Sequence, residues 1–216
     1  MRTLPSFSRR RLLPRAAALV AVAVFPVARL ANAQSRTLEP TPPDAEGPFY
    51  PTRIPAQADA DLTQVAGRAQ RAKGTPLALS GRVLRVDGQP LANARVELWQ
   101  CDVTGRYHHV GGGTDGIDEN FQGYGFAETD AQGLFAFRTI RPVPYGGRPP
   151  HLHFKLAHAL ARPLTTQLYP KGESSERVSG FGLSGRDARS RLEFVMAGGR
   201  EPNTLEASYD FVLRTA

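Results

Sequence analysis

The chain has 216 residues, 41% of them hydrophobic and 22% charged, enough for one well-buried globular domain, with a formal net charge of +7. That charge is not spread along the sequence: residues 1–33 hold six arginines (Arg2, Arg9, Arg10, Arg11, Arg15, Arg29) and no acidic residue. Without them the chain is close to neutral, which removes the electrostatic argument for a nucleic-acid binder.

Residues 1–33 read as an export signal. SRRRLL (Ser8–Leu13) supplies a basic start, and AAALVAVAVFPVA supplies an apolar run too short and too interrupted for a membrane span. Ala31-Asn32-Ala33 offers the small-x-small pattern of a cleavage site, so Gln34 is the expected new N-terminus, with no stable membrane anchor left behind. The paired arginine followed by two leucines resembles a twin-arginine signal and predicts a periplasmic destination, with the general secretory route as the alternative. Cys101 is the only cysteine, which rules out an intrachain disulfide, a cysteine-built zinc site and a CxxC redox centre. It reads as a small, partly buried side chain.

Residues 34–78 form an extended arm in this reading, and 79–216 the folded domain. The arm is proline-rich from Gln34 to Pro55 and contains TPPDAEGPFYP, a composition that opposes helix and suits a segment lying over something else. Ala56–Gly74 is polar and alanine-rich and reads as a loop with a turn of helix.

From Leu79 the texture becomes strand-like. LSGRVLRVDGQPLANARVELWQ places two strand runs around the Asp87-Gly88 turn, and Gly125–Thr129 and Leu134–Ile140 flank a second turn at Asp130–Gly133. HLHFKL alternates, with Leu152, Phe154 and Leu156 on one face and His151, His153 and Lys155 on the other. EFVMA and SYDFVLR are further strand candidates, while Tyr169–Arg191 reads as a long loop. Many short strands, frequent glycine and few helix signals predict an all-β sandwich.

A strand rises about 3.3 Å per residue, so His151 and His153 point the same way, with Cα atoms roughly 6.5–7 Å apart. HxH alone is a weak metal signal, because the histidine face could simply be solvated. Its company strengthens it: Tyr107 lies just past a strand end in WQCDVTGRYHHV, and Tyr145 lies six residues before His151 in a segment stiffened by proline and glycine. Two tyrosines with two histidines lack the carboxylate of the facial-triad ferrous oxygenases and the nitrogen or sulfur set usual for zinc. A phenol ionises near pH 10, so at neutral pH it binds strongly only to an acidic metal such as ferric iron.

At these residues the sequence resembles the intradiol ring-cleavage dioxygenases, specifically the protocatechuate 3,4-dioxygenase type. The matching stretches are EGPFYP, VELWQ…GRYHH, TDAQGLFAFRTIRPVPY, RPPHLHF and LTTQLY, from about Glu46 to Tyr169, with a weaker echo in YDFVL. The resemblance implies a prealbumin-like β-sandwich and a non-haem Fe(3+) held by Tyr107, Tyr145, His151 and His153. It implies Arg148 as the catalytic cation beside the metal, Tyr145 as the phenolate that takes a substrate proton, and Gln167 and Tyr169 near the substrate pocket. The substrates implied are a small aromatic diol and O2. The Tyr145–His151 spacing is short for the family, so the identity of the diol does not follow from the sequence.

Other residues have plainer readings. Tyr124 is the fallback phenol but suits strand burial, and Trp99 suits the core. His108 and His109 read as exposed loop histidines, and the acidic run TDGIDEN as a solvated loop. LSGRVLRVDGQPLANARVELW also resembles transthyretin-like and carboxypeptidase-regulatory modules, which would make the chain a non-catalytic binding module.

Overall fold

Alternation decides the first strand. In β1 (Pro76–Arg85), Leu77, Leu79 and Val83 are buried while Ser80 and Arg82 face solvent. The computed structural model describes residues 37–108, 116–173 and 186–216. The export signal, His109 and residues 114–115 of the acidic run lie outside the described residues. Gln34–Ala216 forms one compact unit.

Besides β1 the described residues form β2 (Arg95–Trp99), β3 (Tyr124–Glu128), β4 (Leu134–Ile140), β5 (Leu152–His158) and β6 (Ala161–Pro170). A five-residue helix α1 (Arg186–Ser190) follows, then β7 (Glu193–Phe194), β8 (Met196–Gly198), β9 (Leu205–Ser208) and β10 (Phe211–Leu213). The fold is all-β, in two five-stranded sheets. In one, β4 lies antiparallel to β1, while β9 and then β10 run parallel to β1 in a single register and β8 flanks β9. The other has the order β3-β2-β5-β6-β7.

Both turns read from the sequence are present, but each joins strands of different sheets. β1 and β2 flank Asp87-Gly88, and β3 and β4 flank Asp130–Gly133; β1 pairs with β4, and β2 with β3. The four strands thus fold as two crossed pairs, which presses their apolar faces together. Phe135 and Phe137 of β4 meet Leu98 of β2, Phe154 and Leu156 of β5, and Phe211 of β10 in one core cluster. Burying each such side chain contributes about 1.5–3 kcal/mol. Between β9 and β10 the chain crowds β1 so closely that a Cβ at Gly81 would stand 1.8 Å from the Tyr209 carbonyl oxygen.

Proline keeps the arm extended, and the sheets hold it. Leu38 N donates to Val86 O, Thr41 N to Val212 O and Asp44 N to Thr165 O, and the Thr166 hydroxyl donates to Pro42 O. Ala56–Gly74 contains turns but no helix; its Leu62 is fully buried, and Asp61 bridges to Arg138. Phe49 and Tyr50 of EGPFYP then pack with Trp99, Cys101, Tyr107, Tyr124 and Tyr145 in a second cluster, separate from the core. The histidine face of β5 is therefore covered rather than solvated: His151 is 1% exposed and His153 0%.

Candidate metal centre

Four side chains from three segments converge in this covered region. The Tyr107 segment is shaped by Asp102, whose Oδ1 accepts hydrogen bonds from Thr104 N (2.8 Å), Thr104 Oγ1 (2.6 Å) and Arg106 N (3.2 Å). Gly105 adopts φ +80° and lies so near that its Cβ would stand 3.1 Å from Tyr145 Cβ, so the turn brings the two tyrosines side by side. Tyr145 opens a second tight turn through Gly146 (φ 53°) and Gly147 (φ 77°), closed by Arg148 N donating to Tyr145 O at 2.8 Å. Two prolines then lead into β5, whose pleat places His151 and His153 on one side.

The polar tips form a chain of close contacts. Tyr107 Oη is 3.3 Å from Tyr145 Oη, Tyr145 Oη is 3.2 Å from His151 Nε2, and His151 Nε2 is 3.1 Å from His153 Nε2. Two donors about 2.0–2.1 Å from one shared ion, at octahedral to tetrahedral angles, would stand about 2.8–3.4 Å apart. The spacing of this set therefore fits a single metal ion. Among the described residues no group of three or more His, Cys, Asp or Glu offers a site, so a metal here depends on the phenols.

Electrostatics agree with the geometry. His151 Nδ1 lies 2.7 Å from the Pro149 carbonyl oxygen, which can only accept, so Nδ1 carries the proton and Nε2 turns a lone pair inward. Burial, helped by the nearby Arg148 charge, lowers the His151 pKa to about 4. Burial, then His151 and Arg148, lowers that of His153 well below its ordinary value. Both rings are neutral at pH 7 and able to offer a nitrogen lone pair. Burial pushes the Tyr107 phenol far up, with Tyr145 adding to it. Burial also raises Tyr145, although the Tyr107 hydrogen bond and Arg148 oppose the rise. Phenols placed so ionise at neutral pH only for a strongly acidic cation.

Arg148 stands beside this set and donates from Nη2 to Gln167 Oε1 at 2.7 Å. Gln167 and Tyr169, expected near the substrate pocket, are 0% and 1% exposed and lie behind Arg148, with the Tyr169 hydroxyl 3.0 Å from Gln167 Oε1. An open groove of about 650 Å³ adjoins the centre, lined by Tyr145, Gly146, Gly147, Arg148 and the ion-paired Arg141 and Glu173, and by neither Gln167 nor Tyr169.

Several plainer readings change. His108 is no exposed loop residue: its side chain is 11% exposed, with Nε2 3.2 Å from Asp102 Oδ2. Asp118, in the acidic run, is buried and accepts from Lys73 N at 2.5 Å, because it anchors the loop rather than facing water. Tyr124 sits near Arg95, 3.4 Å from its Nη2, rather than in the donor set. Cys101 is almost fully buried at 1% exposure, where burial, with Asp102 adding to it, pushes its thiol up to about 12.

Three further residues shape the centre without belonging to the donor set. Phe49 stacks on Tyr107 with centroids 4.3 Å apart and planes at 8°. Trp99 stacks on His153, and a Cβ at Gly47 would lie 3.3 Å from His153 Cε1. Gly47 and Phe49 lie within EGPFYP and Trp99 ends β2, so the local signals were a family-like stretch and an aromatic that suited the core.

A family profile described as "Dioxygenase" matches residues 45–215. The chain is 34% identical over 183 residues to the protocatechuate 3,4-dioxygenase beta chain of Burkholderia cepacia, covering 79% of this chain and 78% of that one. It is 32% identical over 155 residues to catechol 1,2-dioxygenase 2 of Acinetobacter lwoffii, covering 62% of this chain and 52% of the relative. It thus spans only about half the length of that catechol relative. Among solved structures, the dioxygenase domain of a dioxygenase–carbohydrate-binding fusion from Streptomyces sp. SirexAA-E superposes with a TM-score of 0.64 at 30% identity. That match covers 82% of this chain and all of the other. Catechol 1,2-dioxygenase from Pseudomonas arvilla C-1 gives a TM-score of 0.61 at 27% identity, covering 82% of this chain and 62% of that one.

Fold and similarity together define a ring-cleaving oxygenase on a β-sandwich. The chain belongs to the intradiol ring-cleavage dioxygenase family.

Proposed function

We propose that this chain is a ferric-iron dioxygenase that cleaves a catechol between its two hydroxyls, both atoms of O2 ending in the two carboxyl groups of a muconate-type diacid. The observation that carries the reading is the run of 3.1–3.3 Å contacts linking Tyr107, Tyr145, His151 and His153. Ferric iron bound there would supply the Lewis acidity that lets phenols and diol ionise at neutral pH and activates the diol towards O2.

The chain's own residues divide the remaining work. Tyr107, His151 and His153 would hold the ion, the first packed against Phe49 and the last against Trp99. Tyr145 takes one proton of the incoming diol at its phenolate oxygen, where acid and base have similar pKa values. It lies at the groove, on the side from which a diol arrives. Arg148 stabilises negative charge developing on ring and oxygen, held in place by Gln167. A non-catalytic binding module explains the sandwich but not four donors converging in a buried region.

The test is iron analysis, visible absorption and oxygen uptake on purified protein with catechol, protocatechuate and hydroxyquinol. A colourless protein that holds zinc after growth with ample iron, or iron-loaded protein that consumes no oxygen with any of the three, would overturn the reading.

We also propose that residues 1–33 direct export by a twin-arginine route, folded and metal-loaded, with cleavage after Ala33, on the strength of SRRRLL and Ala31-Asn32-Ala33. Undiminished periplasmic appearance after Arg9→Lys with Arg10→Lys would point to the general secretory route instead.

A further inference from the structure

Behind Arg148 a line of hydrogen bonds runs back to the arm. The Gln167 amide is fixed at both ends: Nε2 donates to the Ala45 carbonyl at 2.6 Å, so Oε1 must face Arg148 Nη2 at 2.7 Å and the Tyr169 hydroxyl at 3.0 Å. On its other side the same hydroxyl lies 2.8 Å from Asp44 Oδ2. Tyr169 has one hydroxyl proton and two acceptors, so its proton is shared and the positions of Asp44 and Gln167 are coupled through it.

We propose that Asp44 is a positioning residue for Arg148, acting from the N-terminal arm through Tyr169 and Gln167. The proposal rests on the role given to Arg148 above. Holding the arm in place does not by itself account for this carboxylate. Asp44 N already pairs with Thr165 O, and Oδ1 accepts from Ala45 N at 2.7 Å, which leaves Oδ2 for Tyr169. Asp44, Gln167 and Tyr169 are buried, so water cannot replace a lost partner. The carboxylate also carries the charge opposite to that of Arg148 at the far end of the line, and the two interact. Losing either the carboxylate or the Tyr169 hydroxyl breaks the line that ties Gln167 to the arm on this side. Gln167 Oε1 is then free to shift, and its contact with Arg148 Nη2 loosens.

Tyr169→Phe and Asp44→Asn test this, alone and combined. Phenylalanine keeps the ring that packs beside His151, at 6.0 Å between centroids, and under the Arg189 guanidinium, at 4.2 Å. Metal content and KM for catechol should stay within about twofold of the parent, while kcat falls about ten- to a hundredfold. The double variant should be no slower than the slower single one, because both break the same line. Crystal structures of the variants should show Arg148 turned from Gln167. An unchanged kcat, losses that multiply in the double variant, or an intact Arg148–Gln167 contact in Asp44→Asn would each overturn the proposal. Should the parent hold iron and cleave no catechol, the functional reading fails, and the variant structures still decide the role of Asp44.

Discussion

The indole of Trp99 lies flat on the His153 imidazole, with centroids 4.8 Å apart and planes at 14°. His151 is oriented by its hydrogen bond to Pro149, but His153 Nδ1 has no hydrogen-bond partner among the described residues. For His153 the stack takes the place of that bond. The two histidines, one just before β5 and one within it, are thus aimed by different forces, one directional and one dispersive.

Trp99 should accordingly serve both stability and ligand geometry. Trp99→Ala leaves a large cavity at a fully buried site and should cost about 3–5 kcal/mol, read by denaturant unfolding. Trp99→Phe keeps an aromatic plane on His153 and should retain most of the stability and metal. Equal metal loss in both variants would show that the stack does not orient the ring.

Gly47 holds the arm against the same ring. Its φ of +73° disfavours any side chain, and an added Cβ would press on His153 Cε1 at 3.3 Å. Gly47→Ala should destabilise by about 1–2 kcal/mol and weaken metal retention, because His153 cannot retreat from the Trp99 stack. Metal titration beside thermal unfolding separates the two effects, and unchanged retention would place the whole cost in the backbone.

Arg148 should separate binding from chemistry. A guanidinium has no lone pair for a metal, so Arg148→Ala should keep iron content and catechol-induced spectral change while turnover falls about a hundred- to a thousandfold. Lysine should restore only part of it, since a point charge lacks the planar fork that meets Gln167. Loss of iron would make the residue structural, and normal turnover would remove its catalytic role.

Asp102 should give the fold an acid limit. Burial works against its carboxylate, but hydrogen bonds from His108, Thr104 and the backbone NH groups of Asp118 and Arg106 outweigh it and hold the pKa well below the ordinary range. The resulting stability is fully present above the unfolded-state value of about 3.9 and is lost as pH falls through the folded one. Asp102→Asn should cost about 2–4 kcal/mol at pH 7, and the gap to the parent should narrow below about pH 4. Unfolding curves from pH 7 to pH 2 check both, and a gap independent of pH would assign the cost to packing alone.

Much of this protein is local chemistry and can be read along the chain. The alternation of HLHFKL sets which face of β5 carries the histidines, because a strand's period is two whatever packs against it. Asp87-Gly88 and Asp130–Gly133 mark turns because glycine reaches φ values that other residues avoid; Gly88 and Gly133 adopt +83° and +73°. Nothing local says that these turns carry the chain from one sheet to the other. That is decided by where the apolar faces of β1 and β4 find those of β2 and β5.

The sequence by itself determined the β-rich architecture, the residue types able to hold an acidic metal, and the neutrality of the chain beyond its first 33 residues. Only the tertiary structure decided that the arm covers β5, so that His151 and His153 are buried and their pKa values fall. It also decided that His108, adjacent to Tyr107, turns to Asp102 instead of joining the donors, and that Asp44 meets Tyr169 across 125 positions of sequence. Burial and long-range hydrogen bonds belong to pairs of segments, and a pair exists only once both sheets have closed on each other.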